Sequence, residues 1–250
     1  MSAVLRTAGL TKVWGAFAAV SEVSLAIEQG ARHALIGPNG AGKTTLINLL
    51  TGVLAPTAGE VFVDDVRITS LTQHERVKLG MARTFQINAL FEGLTVLESV
   101  LLAVFERTGA AWHAWREAAR HTREVSEAME LLRSLHLEGD AHTLTRHLPY
   151  GKQRLVEIAL ALACRPRILL LDEPAAGIPA GETAEVFGVL ARLPAEVTIL
   201  FIEHDMDLVF RFAQRITVMV GGRVLVEGTP DEVSRDPRVR EVYLGEAEHG

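Results

Sequence analysis

The stretch ARHALIGPNGAGKTTLINLL, residues 31–50, constrains this chain more than any other. A short apolar strand, ARHALIG, runs straight into a glycine-rich loop, and a helix-like segment follows. The loop, GPNGAGKTT at 37–45, fits the pattern G-x-x-x-x-G-K-[ST]. Gly37, Gly40 and Gly42 let the backbone curl so that its N–H groups face phosphate oxygens. Pro38, Asn39 and Ala41 complete the curl, and Thr45 follows in the helix. Lys43 is the residue that reaches β- and γ-phosphates, and Thr44 offers a hydroxyl to Mg²⁺. A chance glycine-rich turn is the bland alternative; the strand before the loop and the helix after it argue against one.

The rest of the chain frames this unit. Residues 4–9 and 20–27 alternate like strands, with a turn at Gly15-Ala16-Phe17, and EVFVDDVRI (60–68) alternates like another strand. From residue 94 the pattern turns helical. Trp112, Trp115, Ala119, Val125, Met129, Leu132 and His136 recur at spacings of three and four or their multiples, as one apolar face of a long helix. The two tryptophans read as core residues. Strand patterns return at 167–172 and 197–205, separated by a helix at 183–193, and ITVMVGGRVLVEG reads as a hairpin about Gly221-Gly222. The expected organisation is an α/β core over about 1–86 and 166–230, a helical block inserted over about 87–165, and a tail over about 231–250.

Composition narrows the classes. The chain has 250 residues and 48% hydrophobic content, enough for a substantial core, and its formal net charge of −6 argues against nucleic acid as the main ligand. The single cysteine, Cys164, lies in an apolar helical run and reads as a buried structural thiol. The first residues lack the apolar segment of a signal peptide, and no apolar run is long enough to span a bilayer. The expectation is a soluble, cytoplasmic chain that can still attach to a membrane protein.

Three further segments carry chemistry. ILLLDEP (168–174) is an apolar strand ending in two acids: in nucleoside triphosphatases an Asp so placed, here Asp172, holds Mg²⁺, and the next residue, Glu173, can polarise a water for attack on the γ-phosphate. ILFIEHD (199–205) ends another strand with His204, which is placed to contact the γ-phosphate if that strand end borders the phosphate crevice. LPYGKQR (148–154) opens an apolar helix. A helix start favours anions, yet no Ser, Thr, Asp or Asn stands there as a cap.

Phosphate loop, ARTFQ with Gln86, LPYGK, DEP and His204 occur in the order and spacing of the ATP-binding cassette family, and the chain resembles that family over nearly its whole length. TFQ, the tyrosine form of the signature, EPAAG, IEHDM and the ending EGTPDEV…DPRV…YLGE are similar to the ATPase subunits of branched-chain amino acid importers. The resemblance implies a P-loop α/β core with an N-terminal antiparallel β subdomain and an inserted helical subdomain. It implies ATP and Mg²⁺ as ligands, Lys43, Gln86, Glu173 and His204 as catalytic residues, and Thr44, Gln86 and Asp172 around the metal. Trp14 falls where the family stacks an aromatic on adenine; plain core packing is the alternative. Tyr150 and Gly151 would belong to the signature, which meets ATP held by a second ATPase subunit, identical or different. Permease subunits would be the membrane partners, with an extracytoplasmic binding protein acting indirectly, and the chain would sit at the cytoplasmic face of the membrane. Asn88 and Phe91, just after Gln86, would face the permease, unless Phe91 is core.

The chain departs from the family where Pro149 replaces Ser and Lys152 replaces Gln in the signature, and where IPA at 178–180 replaces L-N-P. Two other readings therefore stay open: a cassette that acts on nucleic acid or ribosomes, and a regulatory subunit impaired in hydrolysis.

Overall fold

The computed structural model describes residues 3–84, 90–109 and 122–247. In chain order the first elements are β1 (Ala3–Trp14), β2 (Phe17–Val23), β3 (Ala26–Glu28), β4 (Arg32–Ile36), α1 (Lys43–Thr51), β5 (Ala58–Val63), β6 (Val66–Arg67), α2 (Gln73–Lys78) and β7 (Met81–Arg83). Then come α3 (Val96–Thr108), α4 (Thr122–Ser134), α5 (Tyr150–Ala163), β8 (Ile168–Asp172), α6 (Ala180–Ala191), β9 (Thr198–Ile202) and α7 (Met206–Phe212). The chain closes with β10 (Arg215–Val220), β11 (Arg223–Gly228), α8 (Pro230–Arg235) and α9 (Pro237–Ala247). Two compact units result: Met1–Met81 with Arg167–Pro174 and Pro194–Gly250, and Ala82–Pro166 with Ala175–Leu193.

The first unit holds an antiparallel sheet in the order β2-β1-β5-β6, with β3 also paired to β1. β1 runs well past the predicted 4–9. Its register with β2 shifts on both sides of Lys12, and such bulges break the alternation by which a strand is recognised. The β1–β2 turn falls at Gly15-Ala16 and leaves Trp14 opposite Phe17. EVFVDDVRI is not one strand but the hairpin β5–β6. Asp64 takes a left-handed conformation (φ 51) at its turn, which Asp adopts more readily than most residues.

The larger sheet has the order β11-β10-β4-β9-β8-β7. β10, β4, β9 and β8 are parallel, and β11 returns antiparallel through Gly221-Gly222, both at positive φ, as the sequence predicts. β4 and β9 are buried at every residue, as strands covered on both faces must be. Because the strands run parallel, the C-terminal ends of β4, β8 and β9 share one edge of the sheet. Residue 37, residue 173 and residue 204 follow those ends.

Helix α1 leaves this edge. Its last carbonyls are closed by Arg76, a buried guanidinium that donates to Leu49 O at 2.7 Å, Leu50 O at 2.6 Å, Thr69 O at 3.0 Å and Leu71 O at 3.1 Å. A cation there also meets the negative end of the helix dipole.

The second unit is helical. A capping box of Thr95 and Glu98 starts α3, whose Val96, Val100 and Val104 are buried together with Ala128 and Leu132 of α4 and Leu155 and Ile158 of α5. The predicted apolar face ends sooner than its spacing suggests. α4 stops at Ser134, and His136 takes φ 57 beyond it and is exposed. Trp112, Trp115 and Ala119 lie outside the described residues. Cys164 is half-buried rather than buried; burial pushes its thiol pKa up, so it stays protonated. Among the described residues no helix is long and apolar enough to cross a membrane.

Candidate nucleotide site

The C-terminal edge of the parallel sheet opens into a cleft of about 270 Å³ in the first unit. The loop after β4 forms its floor. Gly37 (φ 147) and Gly42 (φ 97) adopt backbone that L side chains avoid, and a Cβ would strike the carbonyl of Met219 at the first and of Ala19 at the second. Only glycine fits, so the loop is tightly wound against β10 and the β1–β2 hairpin. Asn39, Gly40, Ala41, Lys43, Thr44 and Thr45 line the cleft; Pro38 is half-buried within the loop. No side chain caps α1, whose N-cap is Gly42, so its first turn presents backbone and dipole to the cleft.

Lys43 is buried and folds back on the loop, donating to Gly37 O at 2.6 Å and Pro38 O at 2.9 Å. That contact pins the ammonium over the curl where an anion would lie. Thr44 is exposed at the cleft, and Asp172 is half-buried at the end of β8. Among the described residues no group of three or more His, Cys, Asp or Glu side chains could hold a metal ion by itself. A hydroxyl and a carboxylate near a phosphate loop are the oxygen donors that suit Mg²⁺ when phosphates complete its shell. The residues fit an ion that arrives with a nucleotide.

Glu173 follows β8 at φ 50, a conformation that costs a non-glycine residue on the order of 1 kcal/mol or more. The turn is held by Glu173 N–H donating to Ile202 O at 3.0 Å. It sends the side chain into the cleft, where Oε1 lies 2.9 Å from His204 Nε2. The two residues come from neighbouring parallel strands, which is why a sequence separation of 31 becomes one hydrogen bond.

The opposite wall is aromatic. Trp14 is 47% exposed and lines the cleft, which is not core packing; Lys12 Nζ lies 5.5 Å from its ring centre. Phe17, 63% exposed, stands beside it across the hairpin and was missed as a site residue because it falls in the predicted turn. Its exposure next to another aromatic is the signal that finds it.

Tyr150 and Gly151 start α5 in the second unit. Gly151 is buried, and its N–H donates to Glu182 Oε2 at 3.3 Å. Phe91 is half exposed and is not core. Gln86 and Asn88 lie outside the described residues.

A family model described as ABC transporter matches residues 20–176. The chain belongs to the ABC transporter family. A second model, described as branched-chain amino acid ATP-binding cassette transporter, matches residues 223–249, which include β11, α8 and α9. The chain is 40% identical over 251 residues to the high-affinity branched-chain amino acid transport ATP-binding protein BraF of Pseudomonas aeruginosa, with 98% of each chain covered. Among solved structures it is similar to the ADP conformation of an ATP-binding cassette of an ABC transporter, with a TM-score of 0.86 and 32% identity over 98% of this chain and 100% of that one. It is also similar to a cassette solved as a dimer in a post-hydrolysis state with ADP and Pi, with a TM-score of 0.75 and 28% identity over 90% of this chain and 98% of that one. The resemblance to ABC ATPases is thus borne out over nearly the whole chain, and so is the fold class.

Proposed function

We propose that this chain binds and hydrolyses ATP to power an ABC importer of branched-chain or other hydrophobic amino acids. The observation that carries the reading is the convergence in one cleft of the phosphate loop, Glu173 and His204, each delivered by the C-terminal end of a parallel strand. The match of residues 223–249 and the names of the relatives support the substrate class. Nothing in the comparisons supports a cassette acting on nucleic acid or ribosomes.

The proposed roles are these. The amides of the loop and of the first turn of α1 cradle the β- and γ-phosphates, and the Lys43 ammonium lies among them as a fixed positive charge. Trp14 and Phe17 offer flat apolar faces to adenine. Glu173 accepts the proton of the attacking water, and His204 fixes the orientation of its carboxylate. Thr44, Asp172 and Gln86 are the candidate Mg²⁺ ligands, and the bound ion would neutralise charge on the phosphate oxygens. The working unit is a dimer in which LPYGK of one chain meets ATP on the phosphate loop of the other; the dimeric relative supports it. Permease subunits complete the transporter at the cytoplasmic face of the membrane, with an extracytoplasmic binding protein feeding them.

Lys43→Ala removes the point charge and with it charge-assisted hydrogen bonds of about 1.5–3 kcal/mol each. ATP affinity measured by equilibrium binding should fall by at least about tenfold, with hydrolysis lost alongside it. Binding and hydrolysis both at the parent level would refute the reading.

A further inference from the structure

Two helices of the second unit begin without a side-chain cap. Pro149 precedes α5 and Pro179 precedes α6, and neither makes a capping hydrogen bond. Proline has neither a side-chain acceptor nor an N–H. One carboxylate answers for both ends. Glu182 sits in the first turn of α6 and accepts from Gly151 N–H in the first turn of α5 at 3.3 Å. The fit is close on both sides: a Cβ on Gly151 would strike the Glu182 carboxylate, and a Cβ on Gly177 would press on the Tyr150 ring at 3.1 Å. Segment 150–151 and segment 177–182 therefore mesh through one glycine each. The cations of the same turn are turned to other carboxylates: Lys152 Nζ lies 2.7 Å from Asp140 and Arg154 2.7 Å from Glu157. Among the described residues, Glu182 is the side chain whose carboxylate accepts from the Gly151 N–H at the start of α5.

We propose that Glu182 is a built-in counter-anion, an autoinhibitory contact that holds the signature end of α5 closed to phosphate until it is released. The inference rests on the reading that LPYGK meets the ATP of a second subunit. A carboxylate and a γ-phosphate are both acceptors and both anionic, so they compete for the Gly151 N–H and for the positive end of the helix. Pro149 offers no side-chain acceptor of its own at this helix start, so the Glu182 carboxylate meets no competing cap there. The hydrogen bond is long and Glu182 is only half-buried, so the carboxylate can rotate away without unfolding either helix. ATP-driven association then includes the cost of opening this contact, and the apparent affinity between subunits is lowered by the fraction of time the contact is closed.

The test uses the full chain as parent, Glu182→Gln and Glu182→Ala. Sedimentation velocity with Mg²⁺ and a non-hydrolysable ATP analogue gives the protein concentration at which dimer forms; nucleotide binding and melting temperature are measured on the same samples. Both variants should dimerise at about tenfold lower protein concentration than the parent, with nucleotide binding by the monomer unchanged and melting temperature equal or lower. A purely structural cap would not make a less stable chain associate more tightly. An unmoved or raised threshold in both variants, or no dimer in any of the three chains, overturns the proposal. Nucleotide bound normally with the threshold unmoved sinks the Glu182 contact alone, whereas a parent that binds no nucleotide sinks the functional reading beneath it.

Discussion

At the scale of single residues, the site is built by backbone as much as by side chains. Gly37 and Gly42 are legible in the sequence because no other residue survives their φ, and the spacing to Lys43 follows from that curl. The Glu173–His204 contact is half legible: both residues end apolar strands, but only the parallel order β8-β9 makes them neighbours. Glu182 gives no local signal, since its meaning depends on a glycine 31 positions away. His33 is a different kind of residue. It is buried in β4, with Nε2 2.7 Å from Thr217 Oγ1, which in turn donates to Glu227 at 3.3 Å. Burial pushes its pKa down from 6.5 to about 4, against the pull of Glu227, so the folded chain holds it neutral. Between those values the unfolded chain binds more protons, and stability is lost as pH falls. Denaturant melts at pH 7 and pH 5 should differ by about 2 kcal/mol from this group, and His33→Gln should remove that share of the difference. An unchanged pH dependence in the variant would mean that His33 is not the group responsible.

At the scale of elements, periodicity found nearly every strand of the larger sheet because buried parallel strands are continuous apolar runs. It failed where geometry breaks the period: at the bulged β1, at the Asp64 turn inside EVFVDDVRI, and at the early end of α4. The capping boxes at Thr72, Thr95 and Thr229 show why α2, α3 and α8 begin where they do, and each places a Glu three residues on. Helix α1 is closed at its far end twice: locally by Gly52, left-handed at φ 80 with its N–H donating to Leu49 O, and by Arg76, which reaches Leu49 O and Leu50 O from α2 and which no local pattern reveals. Arg76→Met keeps the apolar stem and removes the guanidinium's hydrogen bonds to the carbonyls of Leu49, Leu50, Thr69 and Leu71. Thermal or denaturant unfolding should show a loss of roughly 3 kcal/mol or more, far above the few tenths typical of an exposed arginine. A loss within about 0.5 kcal/mol would mean that water replaces the guanidinium without penalty.

At the scale of the whole molecule, two units divide the labour. One carries the cleft with the phosphate loop, the aromatic pair and the Glu173–His204 contact; the other carries the signature start with its own carboxylate cap. The order of motifs along the chain is legible in the sequence, and the family it points to is the one the chain belongs to. Pro149 stands at the start of α5 without a side-chain cap, while the phosphate loop of the first unit carries every residue of its pattern. In the proposed function the cleft hydrolyses ATP with Glu173 as the base. Glu173→Gln keeps the shape of the side chain and removes its basicity. Steady-state ATP hydrolysis by parent and variant, with ATP binding measured in parallel, reads out that role. The variant should bind ATP as the parent does and hydrolyse it about 10²-fold more slowly or worse; hydrolysis at the parent rate would mean that Glu173 is not the base.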